Sequence, residues 1–88
     1  MKIKNGFLLR EVAGSYVVVA TGALTKSFNG IIKLNETGSF LWKNMIASTD
    51  KEALISALTA EYDVDRALAE KDVEDFVKTL HDAGVIEE

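Results

Sequence analysis

The sequence changes its periodicity within one short stretch, Ile31-Ile32-Lys33-Leu34-Asn35-Glu36-Thr37-Gly38-Ser39-Phe40-Leu41-Trp42. The first four residues are mostly β-branched or aliphatic, which is typical of a strand. Asn35 is a favoured N-cap residue, so it predicts a helix that begins directly after the strand. Apolar residues then recur at helical spacing, namely Phe40, Leu41, Met45 and Ile46, with Trp42 beside them. This junction divides the chain into a strand-rich front and a helical back.

The front of the chain contains three strand-like segments. Glycines at positions 6, 14, 22, 30 and 38 separate short segments that are rich in β-branched and aliphatic residues. These segments predict strands over residues 7–12, 16–20 and 31–34. Residues 13–15 predict a tight hairpin turn, and residues 22–30 predict a longer connection. The expected sheet is therefore antiparallel.

The back of the chain predicts two further helices. Thr49-Asp50-Lys51-Glu52 has the pattern of a capping box, in which Thr49 caps the second helix and Glu52 reaches back to it. The third helix begins at Asp63 or Asp65 and ends at Gly84. Its inward residues are expected to be Leu68, Val73, Phe76, Val77 and Leu80. The pattern predicts an α+β fold, a three-stranded antiparallel sheet followed by three helices, with residues 85–86 closing the core.

The composition is that of a small soluble domain. The chain has 88 residues, of which 48% are hydrophobic and 27% charged, so we expect residues 1–88 to form a single domain. No apolar run is long enough to span a membrane and no signal peptide is evident, which favours a cytoplasmic protein without a membrane partner. Cysteine is absent, which excludes disulfides, thiolate metal sites and cysteine nucleophiles.

Charge is unevenly distributed along the chain. Residues 1–38 carry five basic and two acidic side chains, a net charge of +3, whereas residues 39–88 carry five basic and twelve acidic side chains, a net charge of −7. Binding to a phosphate backbone requires a basic surface, which an acidic protein of this kind lacks. We therefore expect no nucleic-acid partner.

No set of residues with the pattern of a catalytic site is evident. His81 is the only histidine, and no serine is placed to complete a triad with it. Asp72 and Asp75 share one flank of the third helix, but interleaved lysines favour a solvated acidic face over a metal or acid–base site. No phosphate-binding glycine motif is present. The sequence predicts no enzyme activity, no metal site and no cofactor.

The segment 31–34 is expected to lie at an edge of the sheet. An edge strand carries unpaired amides and carbonyls that can accept another chain. A lysine on such a strand, here Lys33, can also guard the edge against pairing. The residues alone leave both interpretations open.

Two longer motifs resemble the PqqD family. The most specific ones are the run Leu34-Asn35-Glu36-Thr37-Gly38-Ser39-Phe40-Leu41-Trp42 and the helix Asp72-Val73-Glu74-Asp75-Phe76-Val77-Lys78-Thr79-Leu80. The resemblance extends from residue 7 to residue 86. It implies a winged-helix-like module that binds the leader segment of a ribosomally made precursor peptide. It also implies that this non-catalytic module presents the leader to a modifying enzyme, often a radical SAM enzyme.

The resemblance also implies where the leader binds. In the family, the leader docks as an extra strand on the third strand, with its side chains against the third helix. Carried onto this sequence, the peptide-binding residues are Ile31, Ile32, Lys33, Leu34, Asp72, Asp75, Phe76, Thr79 and Leu80. The Pro-Glu dipeptide common before the third strand is absent, so both quinone biosynthesis and another pathway, such as lasso-peptide synthesis, stay open.

Other functions remain as alternatives. A winged-helix DNA-binding regulator would need basic residues on its third helix, whereas this helix carries Glu70, Asp72, Glu74 and Asp75. A small enzyme would need His81 or an acidic pair to act in catalysis. The exposed edge also permits a homodimer through strand pairing.

Overall fold

The computed structural model describes residues 1–22 and 31–87. Within them, five strands and three helices follow one another along the chain. Their bounds are β1 (Lys2–Ile3), β2 (Phe7–Val12), β3 (Ser15–Ala20), β4 (Ile32–Leu34), α1 (Glu36–Lys43), α2 (Lys51–Glu61), α3 (Arg66–Asp82) and β5 (Ile86–Glu87). The predicted connection over residues 22–30 lies largely outside the described residues.

The main sheet is three-stranded and antiparallel, in the order β2-β3-β4. The hairpin between β2 and β3 closes with Val12 opposite Ser15, which leaves Ala13 and Gly14 as the two turn residues. Both have positive φ, 51° and 81°, as expected for a two-residue turn that matches the twist of its strands. Three helices follow the sheet, so the predicted fold class is confirmed.

The core lies between the inner face of this sheet and the helices. Val18 in the central strand is fully buried, and Ile32 and Leu34 of β4 pack against the same cluster. The largest fully buried side chains come mostly from the helices: Trp42, Leu41, Met45, Leu54, Leu58, Leu80, Val18, Val73 and Val85. In the part of the chain that the structure describes, no helix is both long enough and apolar enough to cross a membrane.

A second, two-stranded sheet joins the two ends of the domain. Ile3 pairs with Ile86 and Lys2 with Glu87. The Ile3 amide also donates to the Met45 carbonyl at 3.0 Å, and the Lys4 amide donates to the Val85 carbonyl at 2.8 Å. The sequence analysis missed this sheet, because two residues are too few to show a strand period.

Several helix details differ from the prediction. The N-cap of α2 is Asp50, whose carboxylate accepts from the Ala53 amide at 2.8 Å, so the predicted capping box at Thr49 is wrong. Glu52 instead forms an ion pair with Arg66 of α3. Ile46 lies beyond the end of α1 and is 61% exposed, and Leu68 on α3 is 50% exposed. Neither residue belongs to the apolar stripe that the spacing predicted.

Candidate functional site

The strand β4 forms one free edge of the main sheet, because it pairs with β3 and with no other strand of the described chain. In the β3–β4 pair, Tyr16 lies opposite Leu34, Val17 opposite Lys33, and Val18 opposite Ile32. Hydrogen-bonded and non-bonded pairs alternate along an antiparallel ladder. Which of these pairs is hydrogen-bonded therefore determines which backbone amides and carbonyls of β4 can bond to another chain.

The neighbouring β2–β3 ladder decides this question. The Thr21 amide donates to the Gly6 carbonyl at 2.7 Å, and bonded pairs recur every second residue from there, so Arg10 and Val17 are a bonded pair. Val17 thus directs its backbone amide and carbonyl towards β2. Its neighbours in β3 direct theirs towards β4, where they bond Ile32 and Leu34. The amide and carbonyl of Lys33 consequently point outward, away from the sheet.

A groove of about 300 Å³ runs between this edge and α3. One wall is formed by β4 and the start of α1, and the other by successive turns of α3. Its lining residues are Lys33, Leu34, Asn35, Thr37, Gly38, Leu41, Asp72, Asp75, Phe76 and Thr79. An extended chain paired with β4 would place alternate side chains in this groove.

The junction of β4 with α1 brings the two walls close together. Asn35 is the N-cap of α1, and its side chain accepts a hydrogen bond from the Gly38 amide at 2.7 Å. A Cβ atom at Gly38 would lie 3.3 Å from Leu34 Cβ and 3.4 Å from Phe76 Cε1. The separation from Leu34 is tighter than ordinary packing and that from Phe76 is at van der Waals contact, so the absence of a Cβ at this position suits the close fit between the edge strand and α3.

The charges on the α3 wall differ in their partners. Asp75 accepts a hydrogen bond from Lys71 at 2.8 Å. This bond raises the pKa of Lys71, and the charge of Asp72 makes a smaller contribution in the same direction. Thr79 Oγ1 donates to the Asp75 backbone carbonyl at 2.9 Å. Asp72 is half-buried and forms no hydrogen bond or ion pair with any residue that the structure describes. It is therefore the carboxylate of this wall that is open to a ligand.

The structure brings most of the predicted site residues together. Lys33, Leu34, Asp72, Asp75, Phe76 and Thr79 all line the groove. Ile32 packs against the core next to them, while Ile31 precedes β4 and is 61% exposed. Leu80 is fully buried in the core, so it offers no surface to a ligand.

Sequence reasoning missed four of the groove-lining residues: Asn35, Thr37, Gly38 and Leu41. The signal that could have found them was the Leu-Asn-x-x-Gly motif. Its asparagine was interpreted only as a helix cap, whereas the cap also sets the position of one groove wall.

The other candidate residues do not line this groove. His81 lies in the last turn of α3 with its side chain 64% exposed, and its Nδ1 is 3.9 Å from Asp82. Glu70, another acidic residue of α3, accepts a hydrogen bond from Arg66 at 3.2 Å. Among residues 1–22 and 31–87, no group of three or more potential ligand side chains could hold a metal ion.

Comparison with known families adds a second line of evidence. The family described as coenzyme PQQ synthesis protein D (PqqD) matches residues 8–86. The chain belongs to the PqqD family. The resemblance stated from the motifs is thereby confirmed over nearly the whole length of the PqqD-family domain.

Two solved structures share this PqqD-family fold. The first, TbiB1 in complex with the TbiA(beta) leader peptide, has 25% identity and a TM-score of 0.77, with 99% of this chain and 95% of that chain covered. The second, lasso peptide synthetase B1 complexed with the leader peptide, has 18% identity and a TM-score of 0.75, with 99% and 96% covered. The second likeness shows the fold alone. No curated protein sequence matches the chain significantly.

Proposed function

We propose that this PqqD-family chain binds the leader segment of a ribosomally made precursor peptide as an added strand on β4. The observation that carries the proposal is a free strand edge beside a groove whose opposite wall is α3. Backbone pairing at such an edge supplies affinity, and alternate side chains in the groove supply selectivity. Two proteins with the same fold are described in complex with leader peptides, which supports this assignment.

The register on β4 specifies how the leader would dock. The leader residue opposite Lys33 exchanges both backbone hydrogen bonds with it, because Lys33 has the outward amide and carbonyl. The residues on either side of it lie opposite Ile32 and Leu34, whose side chains pack inward. Side chains two residues apart in the leader therefore enter the groove, while the one between them faces solvent.

In this proposal the domain is not itself a catalyst. It holds the leader in the cytoplasm, where precursor peptides are made, and presents the rest of the precursor to a separate modifying enzyme such as a radical SAM enzyme. The peptide-binding residues are those of the edge and groove, with Phe76 and Leu34 as the apolar contacts. Leu80 is fully buried in the core, so in this proposal it does not touch the peptide.

The charge pattern of α3 speaks against the DNA-binding alternative. Arg66 pairs with Glu52 and Glu70, and the other basic side chains of the helix pair with acidic ones four residues later. These pairs are Lys71–Asp75 and Lys78–Asp82. Lysine and arginine side chains that already hold carboxylates are poorly available to phosphates, and the surrounding acids would repel the duplex.

A proline at the edge tests the docking mode. We expect Lys33→Pro to abolish peptide binding, because proline removes the outward amide that a docked strand needs while leaving the β3–β4 bonds in place. Lys33→Ala is the matched control, since it removes the same side chain but keeps the amide. The probe is a set of peptides selected on the protein from a displayed library of random 12-residue sequences.

The readout is a titration of isotope-labelled protein followed by NMR. Binding should shift the amide signals of residues 31–35 and of the groove side of α3, and Lys33→Ala should retain most of the affinity. Shifts confined to β2 or to the outer face of α2 would contradict docking at this edge. The same edge would carry a homodimer with two β4 strands paired, so the titration is done at low protein concentration.

A further inference from the structure

We propose that Asp72 makes the groove selective for peptides that carry a lysine or arginine two residues away from an apolar anchor side chain. This inference rests on the proposed function, because it concerns the chemistry of the peptide that docks on β4. It adds the residue that selects the side chain at one position of the peptide.

The spacing of the groove matches that of a docked strand. Asp72 and Phe76 both line the groove from α3. They are four residues apart, which is about 6 Å along the helix axis. Side chains on one face of a strand recur every two residues, about 7 Å apart. In the proposed mode the docked strand runs along α3, and a peptide side chain packed on Phe76 then has its neighbour, two residues along, within reach of Asp72.

The anchor position is apolar because of what surrounds Phe76. The ring is half-buried beside Gly38, where a Cβ atom would lie 3.4 Å from Phe76 Cε1 and 3.3 Å from Leu34 Cβ of the edge strand. A leader side chain opposite Leu34 would meet this apolar corner. An aliphatic or aromatic side chain buries its surface there at no polar cost.

The position beside Asp72 requires a cation. Asp75 is already neutralised by Lys71 at 2.8 Å, whereas Asp72 forms no hydrogen bond or ion pair with another described residue. A docked strand would remove water from this half-buried carboxylate. Desolvating an ionised carboxylate without a partner is costly, while a charge-assisted hydrogen bond from lysine or arginine offsets that cost. An acidic or apolar peptide residue at this position is therefore disfavoured.

Lys33 does not supply the missing charge. Its side chain alternates with those of Ile32 and Leu34, which pack against the core, so it extends from the opposite face of the sheet. Of the basic residues that the structure describes on β4 and the adjacent turns of α3, Lys33 extends from the other face and Lys71 pairs with Asp75, so in the proposed complex a basic peptide residue is the partner of Asp72.

Parallel selections on three proteins test the inference. The random 12-residue library is selected on the unmodified protein, on Asp72→Asn and on Glu74→Gln. Glu74 is an exposed carboxylate on the same helix that does not line the groove, so its variant matches the loss of charge. Lysine or arginine should be enriched two residues from an apolar residue on the unmodified protein and on Glu74→Gln, and this enrichment should disappear on Asp72→Asn.

A pair of synthetic peptides then measures the effect. The two peptides carry one selected sequence and differ only by lysine or glutamate at the basic position. We expect the lysine peptide to bind about three- to tenfold more tightly, and the ratio to fall to about one on Asp72→Asn. Asp72→Lys should reverse the preference, and its amide spectrum shows whether it remains folded.

The possible outcomes distinguish a failure of this inference from a failure of the proposed function on which it rests. If no peptide is enriched on the unmodified protein, the proposed function fails and the inference with it. If the enriched peptides depend on the Lys33 amide but show no basic preference, the function stands and the inference is wrong. A basic preference that persists on Asp72→Asn would likewise overturn the role of Asp72.

Discussion

Asn35 performs two tasks at the point where the sheet becomes helix. Its side chain accepts the Gly38 amide at 2.7 Å, which satisfies one of the free donors at the start of α1. Because the residue directly follows β4, the same contact fixes the angle at which α1 leaves the edge strand. One short side chain therefore stabilises the helix and shapes the groove wall.

Ala13 in the first hairpin is a residue that the fold holds in an unfavourable conformation. Its φ of 51° lies in the left-handed region, which alanine rarely adopts and asparagine tolerates. We expect Ala13→Asn to raise the free energy of unfolding by about 0.5–1 kcal/mol, because Asn-Gly is a preferred two-residue hairpin turn. Urea unfolding followed by the fluorescence of Trp42, the only tryptophan, measures the change.

The control for this change is the same substitution in a helix. Ala60 is exposed within α2, where asparagine has a lower helix propensity than alanine. Ala60→Asn should therefore destabilise the protein slightly. A loss of stability in Ala13→Asn would show that the turn does not need a left-handed residue at this position.

At the scale of elements, the small β1–β5 sheet links the N-terminal strand to the helices. Ile3 is 6% exposed, its amide donates to the Met45 carbonyl, and it lies opposite Ile86 of the C-terminal strand. Ile3→Ala should lower the free energy of unfolding by about 2–4 kcal/mol, a large part of the stability of a domain this size. Urea unfolding reports the difference.

Lys2→Ala is the matched control for the terminal sheet. Lys2 occupies the neighbouring position and forms an exposed ion pair with Glu87 at 3.4 Å. Exposed ion pairs contribute little to the free energy of unfolding, so this variant should unfold at nearly the same urea concentration as the unmodified protein. An Ile3→Ala variant as stable as Lys2→Ala would mean that the Ile3 side chain contributes little and that β1 acts mainly through backbone pairing.

Elements with a clear local pattern could be predicted from the sequence, and those set by distant partners could not. Asn35 followed by an apolar helical stripe predicted α1 because the cap and the stripe are neighbours. Glu52 has the position of a capping-box residue, yet Arg66, fourteen residues later, binds it. The strands β1 and β5 are held by pairing with each other, and no local sequence pattern indicates that pairing.

The groove was predictable in part for the same reason. The spacing put Asp72 and Asp75 on one flank of α3, and the family resemblance added Phe76 and Thr79 to the same binding face. Leu80 has the same helical spacing but is fully buried in the core. The boundary between groove and core depends on where β4 and α1 pack against α3, and that is tertiary information.

At the scale of the whole molecule, charge is separated between the two halves of the chain. The strand half of the sequence is net positive and the helical half net negative. We expect no salt-dependent binding to a random 20-base-pair duplex at micromolar concentrations, because the basic side chains of α3 are held by carboxylates. Fluorescence anisotropy at low salt checks this. Binding that weakens steeply as salt is added would favour the DNA-binding function instead.

The pairing of β1 with β5 has a consequence for how such a domain can be built into larger polypeptides. Lys2 and Glu87 lie directly opposite each other, so the chain enters and leaves the fold about 5 Å apart. A host protein could therefore accept the whole domain within one surface loop, without stretching the loop or separating its ends. Tethered in this way, the free edge of β4 would stay exposed at a fixed distance from the host's own active site.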